Sequence, residues 1–474
     1  MATYWLRVRR KNLTNTLFAL LHAMTDTIIA QSTPNGESAL ALVRINGPLC
    51  AKIAEEALAL PHPTPRKCYL RDFRSTASNE ILDQVTAVFF AKGKSFTGDE
   101  TLEITCHGNS LIVERILEDL LARGCRIATP GEFSRRAFMS GNIDLTQAES
   151  IAEIISARSD AELKIANSNL RGSLSNTFIS LQDSILEVQA LLEASLDFPE
   201  EEIEEESRKS ILEIIDSIVC RMKNFIENSY KKKHLSHALK VLLIGPPNAG
   251  KSTLFNTMLG HQRALVSEVP GTTRDYLSQE IKLGDYRIEL IDCAGIRISE
   301  NETESLGVNN SIALIEEAVL VLFVIDGSLP YPTDFHEIVC PKLEDVNTIV
   351  VENKKDLPKH DDIFSYPEHS ELLSVCAHQP DDVERLCKSI EKHFAETFPF
   401  DPSQDVIVNA RHADLLSKAA SSLTSVTNLL NSTEGIEIVL HELNHCRSHI
   451  DEIIGTKTNE DVLDLLFKKF CIGK

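Results

Sequence analysis

Gly245-Pro-Pro-Asn-Ala-Gly-Lys-Ser252 is the stretch that decides the fold of the middle of this chain. It has the spacing GxxxxGK[ST], and it lies between the apolar run 241–244 and a run compatible with a helix, which is the context of a phosphate-binding loop. Its glycines let backbone N–H groups surround phosphates, and the motif predicts that Lys251 reaches the β and γ oxygens while Ser252 holds Mg²⁺. Strand and helix patterns alternate over residues 239 to 397, so we predict an α/β P-loop domain there.

Four further motifs of a guanine-nucleotide site follow in chain order. Gly271-Thr-Thr-Arg-Asp275 supplies a switch threonine, and Asp292-Cys-Ala-Gly295 ends a strand with a carboxylate that can bind Mg²⁺ through water. Asn353-Lys-Lys-Asp356 ends another strand, and the Asp356 carboxylate can accept both the N1–H and the 2-amino group of guanine, which adenine does not offer. Ser374-Val-Cys376 is a weaker base-contacting loop. The set predicts an enzyme that hydrolyses GTP.

GTP hydrolysis also needs residues that position water and stabilise charge. In Ras-like proteins a glutamine after DxxG orients the water, but Ile296 stands at that place, so another residue must do so, and the acids of the following loop are Glu300, Glu302 and Glu304. No arginine is identifiable as a finger, so we hypothesise that the side-chain oxygen of Asn248 helps to hold a monovalent cation instead. The candidate nucleotide contacts within the motifs are Asn248, Ala249, Gly250, Lys251, Ser252, Thr253, Gly271, Thr272, Thr273, Asp292, Cys293, Ala294, Gly295, Asn353, Lys354, Lys355, Asp356, Ser374, Val375 and Cys376.

The flanking parts of the chain predict two other kinds of domain. Residues 26 to 142 combine β patterns at 39–45, 85–90 and 102–106 with one helix that ends near Ala122, which indicates an α+β domain. Apolar residues recur every three or four positions from about Leu145 and again after about Asp405, so two helical blocks flank the α/β block. We therefore expect a multidomain protein with an extension or upstream start over 1–23, an α+β domain over 24–142, an all-α domain in two parts over 143–238 and 398–474, and an inserted GTPase domain over 239–397.

Composition restricts the setting in which this protein works. The chain has 474 residues and a formal net charge of −22, which argues against a general electrostatic grip on nucleic acid. Its 11 cysteines show no disulfide-like pattern and favour a reducing, cytoplasmic location. No apolar run reaches the roughly 18 residues of a membrane-spanning helix, so we expect no membrane partner.

Residues 1–23 have a basic start and a short apolar stretch, so they are either a targeting segment or, as we favour, sequence ahead of a start at Met24.

Three stretches outside the GTPase block carry a family resemblance. They are Asp26-Thr-Ile-Ile-Ala-Gln-Ser-Thr-Pro34, the pair Pro130-Gly-Glu-Phe-Ser-Arg-Arg-Ala-Phe138 and Ile143-Asp-Leu-Thr-Gln-Ala-Glu149, and the ending Phe470-Cys-Ile-Gly-Lys474. Together with a GTPase block that looks like the Era-related group, they resemble the MnmE (TrmE) family of tRNA-modifying GTPases. The resemblance covers residues 24 to 474.

The resemblance implies a function, cofactors and partners. Family members form homodimers through an N-terminal domain that binds a tetrahydrofolate derivative, in the 5-formyl or 5,10-methylene form. They act with the flavoprotein MnmG in a heterotetramer or larger complex. The complex adds a carboxymethylaminomethyl or aminomethyl group at C5 of the wobble uridine (U34) of certain tRNAs, with folate as the one-carbon source. Potassium stimulates GTP hydrolysis and drives the association of facing GTPase domains.

The resemblance also assigns roles to individual residues. Arg44, Glu103 and Lys474 match folate-contacting places, and Asn142 stands where the family often has a lysine. Glu304 matches the glutamate that orients water, and Cys471 matches a cysteine suspected of a role in modification. The potassium ligands matched are Asn248, Ser267, Val269 and Thr272; Glu268 and Pro270 lie in the same nucleotide-contacting loop; and the Mg²⁺ ligands matched are Ser252 and Thr273.

Blander interpretations remain open beside these roles. Without the resemblance, Arg44 and Glu103 could be surface residues of strands, Cys471 a packed thiol and His107 a turn histidine. We also expect no His/Cys cluster with zinc-ligand spacing. The alternative function is an Era-like GTPase switch in ribosome assembly. That alternative lacks a recognisable RNA-binding motif in the sequence. Because the chain is acidic, we expect weak binding of tRNA by the isolated protein and tight binding by its complex with MnmG.

Overall fold

The computed structural model describes residues 26–157, 159–197, 205–236, 238–261, 277–292, 314–315, 317–330, 339–343, 346–360, 370–397, 406–432, 435–458 and 460–473. The chain divides into two compact units. One holds the described residues of Met1–Ala152, Asn169–Asp183 and Arg447–Lys474, and the other those of Glu153–Ser168 and Ser184–Cys446. None of the described helices is long and apolar enough to cross a membrane.

A six-stranded sheet organises the first unit. Its strands are β1 (Ile28–Gln31), β2 (Ser38–Asn46), β3 (Cys68–Arg74), β4 (Ile81–Phe90), β5 (Thr101–Gly108) and β6 (Arg126–Ile127), in the order β3-β4-β5-β2-β1-β6. The neighbours pair antiparallel except β1 and β6, which are parallel. The three predicted β patterns lie in β2, β4 and β5, so that prediction is confirmed.

Side chains of each strand alternate between the two faces of this sheet, and helices cover one of these faces. Ala41, Val43 and Ile45 of β2 are buried together with apolar residues of α1 (Cys50–Leu58) and α2 (Ser110–Ala122). The Asn109 side chain caps α2, since its Oδ1 accepts the Leu111 N–H at 2.9 Å. The predicted helix in this region is therefore confirmed. The helix α3 (Glu132–Met139) follows β6 and carries the junction motif.

The remaining helices confirm the helical period on both sides of the GTPase block. They are α4 (Leu145–Ser156), α5 (Asp160–Leu170), α6 (Ser173–Asp197), α7 (Glu205–Ser236), α10 (Ala410–Leu430), α11 (Ile436–Ile454) and α12 (Glu460–Phe467). In the first unit, Leu145 and Ala148 of α4 pack against Leu463 and Phe467 of α12. In the second unit, α7 packs against α10. The end of the chain thus belongs to the core of the first unit.

The second unit contains a second six-stranded sheet. Its strands are β7 (Leu239–Ile244), β8 (Leu277–Leu283), β9 (Tyr286–Asp292), β10 (Leu320–Asp326), β11 (Thr348–Asn353) and β12 (Glu371–Ser374), in the order β12-β11-β10-β7-β9-β8. All neighbours are parallel except β8 and β9. The flanking helices include α8 (Lys251–His261) and α9 (Pro380–Thr397). The predicted α/β domain is confirmed, and its strand β7 lies between β9 and β10, where parallel strands present ligand sites at their carboxyl ends.

Candidate functional site

Two glycines shape the phosphate-binding loop between β7 and α8. Gly245 has φ +154°, and a Cβ there would lie 1.9 Å from the Val324 carbonyl oxygen of β10. Gly250 has φ +94°, and a Cβ there would lie 2.1 Å from Asn353 Nδ2. Both backbone conformation and close approach therefore require glycine at these positions. The loop is pressed against the carboxyl ends of β10 and β11.

The Lys251 ammonium lies inside this loop. Its residue is 6% exposed, and Nζ donates to the carbonyl oxygens of Gly245 at 2.8 Å and Pro246 at 2.9 Å. A phosphate oxygen is a stronger acceptor for the same ammonium, because charge-assisted hydrogen bonds are about twice as strong as neutral ones. The lysine is thus held where the motif predicts a contact with phosphates.

Ser252 and Asp292 meet on the other side of the loop. Ser252 Oγ donates to Asp292 Oδ2 at 2.7 Å. Asp292 is fully buried, and its Oδ1 has no hydrogen-bond partner among the described residues. A hydroxyl beside an unsatisfied buried carboxylate is an all-oxygen donor set, which fits a hard cation such as Mg²⁺.

Asn353 joins three loops of the second unit. Its Nδ2 donates to the Ala249 carbonyl at 2.9 Å, and its Oδ1 accepts the Ala377 N–H at 3.0 Å. The neighbouring backbone continues the link, since Lys355 N donates to the Val375 carbonyl at 3.1 Å. The structure therefore brings the phosphate loop, the Asn353–Asp356 motif and the Ser374–Cys376 loop together, with Asp356 exposed.

Two acids outside the sequence motifs, Asp382 and Asp326, hold the loops at 353–356 and 374–376. Asp382 of α9 accepts the Cys376 N–H at 2.9 Å and the Lys355 ammonium at 3.1 Å. Burial alone would raise the pKa of Asp382, but these contacts and Arg385 hold it below its usual value. Asp326 ends β10 and accepts Lys354 Nζ at 2.6 Å. The position of Asp326 at the end of an apolar strand was the one sequence signal for either acid.

A second cluster lies on the sheet of the first unit. Arg44 of β2 pairs with Glu103 of β5, with Nε 2.9 Å and an outer nitrogen 2.8 Å from Glu103 Oε1. The same guanidinium lies 5.6 Å from the centre of the Phe133 ring and donates to the Gly473 carbonyl at 3.2 Å. Ser32 Oγ donates to that carbonyl at 3.1 Å. Arg44 thus joins Glu103 to the C-terminal ending at Gly473, and the neighbouring Lys474 lies outside the described residues.

Asn142 and Cys471 have other surroundings. The Asn142 amide donates to the Phe96 carbonyl at 2.9 Å. The Cys471 side chain is exposed, and its carbonyl accepts the Gly131 N–H at 3.4 Å. The remaining candidates lie outside the part of the chain that the structure describes; they are Ser267, Glu268, Val269, Pro270, Gly271, Thr272, Thr273, Cys293, Ala294, Gly295, Glu304 and Lys474.

The junction motif forms an ion-pair network in the first unit. Glu132 accepts Arg126 at 2.8 Å and the Thr129 N–H at 2.9 Å. Arg136 lies 2.6 Å from Asp26 and 3.3 Å from Glu132. Burial alone would raise the pKa of Glu132, but the Arg126 pair and the Thr129 N–H lower it to about 2. Charged residues of this motif therefore form structural ion pairs, which the sequence alone did not predict.

Comparisons with known proteins cover nearly the whole chain. A family model described as GTP-binding protein TrmE N-terminus matches residues 27–142, and one described as MnmE helical domain matches residues 145–471. The chain is 38% identical over 453 residues to the tRNA modification GTPase MnmE of Opitutus terrae, covering 95% of this chain and 99% of that one. It is 34% identical over 456 residues to that of Clostridioides difficile, covering 95% and 99%. For Protochlamydia amoebophila the values are 35% over 453 residues, covering 95% and 98%.

Proposed function

The chain belongs to the MnmE family of tRNA modification GTPases, and on this premise we propose that it modifies U34 of certain tRNAs together with the flavoprotein MnmG. In this proposal the complex adds a carboxymethylaminomethyl or aminomethyl group at C5 of the uridine, and a tetrahydrofolate derivative is the one-carbon source. The protein works as a homodimer in the cytoplasm. The observation that supports the proposal is the presence of both a GTP site and the Arg44–Glu103 cluster in one chain.

The described residues include groups suited to bind the phosphates, Mg²⁺ and the guanine base. Lys251 binds the β and γ phosphates, and Ser252 with Asp292 provides the oxygens for Mg²⁺, joined in this proposal by Thr273. Asp356 selects guanine from an exposed position beside the Asn353 bridge. Bound Mg²⁺ neutralises charge that develops on the phosphates.

The remaining roles in hydrolysis rest on the family. Glu304 orients the attacking water, and Asn248 with Ser267, Val269 and Thr272 binds K⁺ in place of an arginine finger. Asn248 is exposed and has a left-handed backbone with φ +62°, so its side chain is accessible to an ion, which supports this role. A bound K⁺ supplies positive charge there when the GTPase domains of two protomers meet.

The Arg44–Glu103 cluster is the proposed folate site, together with Lys474 and Asn142. The two side chains are 20% and 25% exposed, so a ligand can reach them. A carboxylate such as Glu103 accepts two N–H groups of a pterin ring side by side, and the Arg44 guanidinium orients that carboxylate. Asn142 can donate a hydrogen bond to the glutamate tail but offers no charge. The exposed thiol of Cys471 lies in the same C-terminal ending and is the proposed participant in modification.

Mass spectrometry of wobble uridines tests this function directly. Cells that lack the protein should lose the modified uridine, and the wild-type gene should restore it. Arg44→Ala should fail to restore it. Arg66→Ala is the control and should restore it; Arg66 is an exposed arginine of the same unit whose side chain is bonded to the Lys94 carbonyl. Unchanged uridines in the deletion strain, with a defect in ribosome assembly, would favour the Era-like switch instead.

A further inference from the structure

Two histidines one turn apart stand on the exposed side of α11. In the part of this helix that belongs to the second unit, His441 Nε2 and His445 Nε2 are 3.1 Å apart, and the ring centroids are 4.6 Å apart. Both residues are exposed, whereas Val439 and Leu443 on the opposite side of the helix are buried. The two nitrogens form a hydrogen bond in which one imidazole donates its N–H and the other accepts, so both lie where a single ion could replace that proton.

We propose that His441 and His445 form a chelating site for a divalent first-row transition-metal ion. Tetrahedral Zn²⁺ with Zn–N bonds of about 2.0–2.1 Å holds two nitrogen ligands about 3.3–3.4 Å apart. The observed 3.1 Å separation of the two Nε2 atoms is close to that edge. Because residues four apart are neighbours on a helix, small rotations of the two rings let both lone pairs reach one ion without a change in the backbone.

The sequence around the pair has a known metal-binding spacing. His441-Glu-Leu-Asn-His445 reads H-E-x-x-H, in which two histidines of one helix bind zinc. This contradicts our expectation that no histidine cluster has a zinc-ligand spacing. A catalytic zinc site of that class needs a third protein ligand, and the described residues include no group of three His, Cys, Asp or Glu side chains placed to hold a metal. The site is thus a reversible two-imidazole site whose other positions are open to water.

The donor set also decides which ions bind. Imidazole nitrogen suits Zn²⁺, Ni²⁺ and Cu²⁺, whereas Mg²⁺ and K⁺ prefer oxygen. The site is therefore chemically distinct from the all-oxygen Ser252–Asp292 pair. Affinity should follow the order of the divalent series, with Cu²⁺ tighter than Ni²⁺ and Zn²⁺. The nearby Cys446 thiol is not a ligand, because it is buried on the opposite side of the helix and burial raises its pKa to about 12.

Calorimetric titration of the full chain without a histidine tag tests the site. Ni²⁺ and Zn²⁺ are titrated at one fixed pH near neutrality, with excess Mg²⁺ to occupy oxygen sites. His441→Ala and His445→Ala should each weaken one binding event by about tenfold or more, as expected when a chelate loses one of two donors. His107→Ala, an exposed histidine of the first unit paired with Asp83, is the matched control and should leave that event unchanged.

A rearranged variant separates chelation from histidine content. Glu442→His combined with His445→Ala keeps two histidines but places them next to each other, where side chains on a helix diverge. It should bind no better than His445→Ala alone. The thiols of Cys68, Cys220 and Cys471 are exposed and also attract Zn²⁺, so the difference between variants is the readout. Equal affinity of the wild type and both alanine variants, with unchanged circular dichroism, would overturn the proposal.

Discussion

Ser252 donates a hydrogen bond of 2.7 Å to one carboxylate oxygen of Asp292, and the other oxygen of that carboxylate is buried without a hydrogen-bond partner among the described residues. An unsatisfied buried polar group costs about 1–3 kcal/mol. This hydrogen bond joins the phosphate loop to the end of β9 and places the Asp292 carboxylate beside Ser252. The same pair therefore affects both the stability of the nucleotide-free protein and its chemistry.

Asp292→Asn should separate these two effects. Removing a buried, partly unsatisfied charge should leave the melting temperature of the nucleotide-free protein equal or higher. GTP hydrolysis should fall by about a hundredfold, as when one stabilising group of a transition state is lost. Turnover at several Mg²⁺ concentrations and a thermal melt measure both. A clear loss of stability with normal turnover would contradict the assignment.

Asn353→Ala should loosen the nucleotide site through its packing. The substitution leaves the Ala249 carbonyl and the Ala377 N–H without their partner, so the free energy of unfolding of the second unit should drop by about 2 kcal/mol or more. Affinity for GTP should fall as well. Asp356→Ala is the control, because that side chain is exposed and its loss should weaken guanine binding with little effect on stability. Identical melts for Asn353→Ala and the wild type would argue against the bridge.

Glu132 should make the first unit sensitive to acid. Its pKa is lowered to about 2, against about 4.3 for an unfolded chain. A lowered pKa contributes stability above the unfolded value, and that contribution is lost as the pH falls from about 4.3 towards 2. Glu132→Gln should cost roughly 3 kcal/mol at neutral pH and progressively less below pH of about 4. Denaturant unfolding across this range checks it, and a constant difference between the two proteins would refute the linkage.

Arg44→Ala should weaken the binding of 5-formyltetrahydrofolate by about tenfold or more, because Glu103 loses the guanidinium that orients it. GTP hydrolysis by the isolated protein should not change, since Arg44 belongs to the first unit. Gly473→Ala is the comparison variant. Position 473 has φ +93°, and a Cβ there would lie 2.6 Å from the Gln31 carbonyl oxygen, so this substitution should displace the C-terminal ending while Arg44 is kept. A normal folate titration of Arg44→Ala would remove it from the site.

Hydrolysis of GTP should be faster in KCl than in NaCl, because Na⁺ is smaller and fits the proposed Asn248 site poorly. Asn248→Ala should reduce the difference between the two salts by removing one oxygen ligand. Steady-state turnover at matched ionic strength measures this. Equal rates of the wild type in both salts would end the cation hypothesis.

Local motifs and apolar periods were sufficient for much of the fold. The strand at 241–244, the phosphate loop after it and the order of the nucleotide motifs follow from short segments whose backbone requirements are local. The β pattern at 39–45 and the helix that ends at Ala122 were predicted in the same way. Contacts between residues far apart in sequence could not be predicted in this way, such as the hydrogen bond from Asn353 to the Ala249 carbonyl.

The sequence by itself predicted a GTPase block between two helical blocks, because phosphate loops, guanine motifs and helical periods depend on residues close together in the chain; the MnmE family followed from the resemblance of three further stretches. Only the tertiary structure decided that Arg44 meets Gly473, 429 positions later, that Arg136 pairs with Asp26, and that Asn353 bridges Ala249 and Ala377. These relationships depend on which surfaces pack and which nitrogens or oxygens are left facing one another. Packing of the whole chain sets those distances, and no single segment contains them.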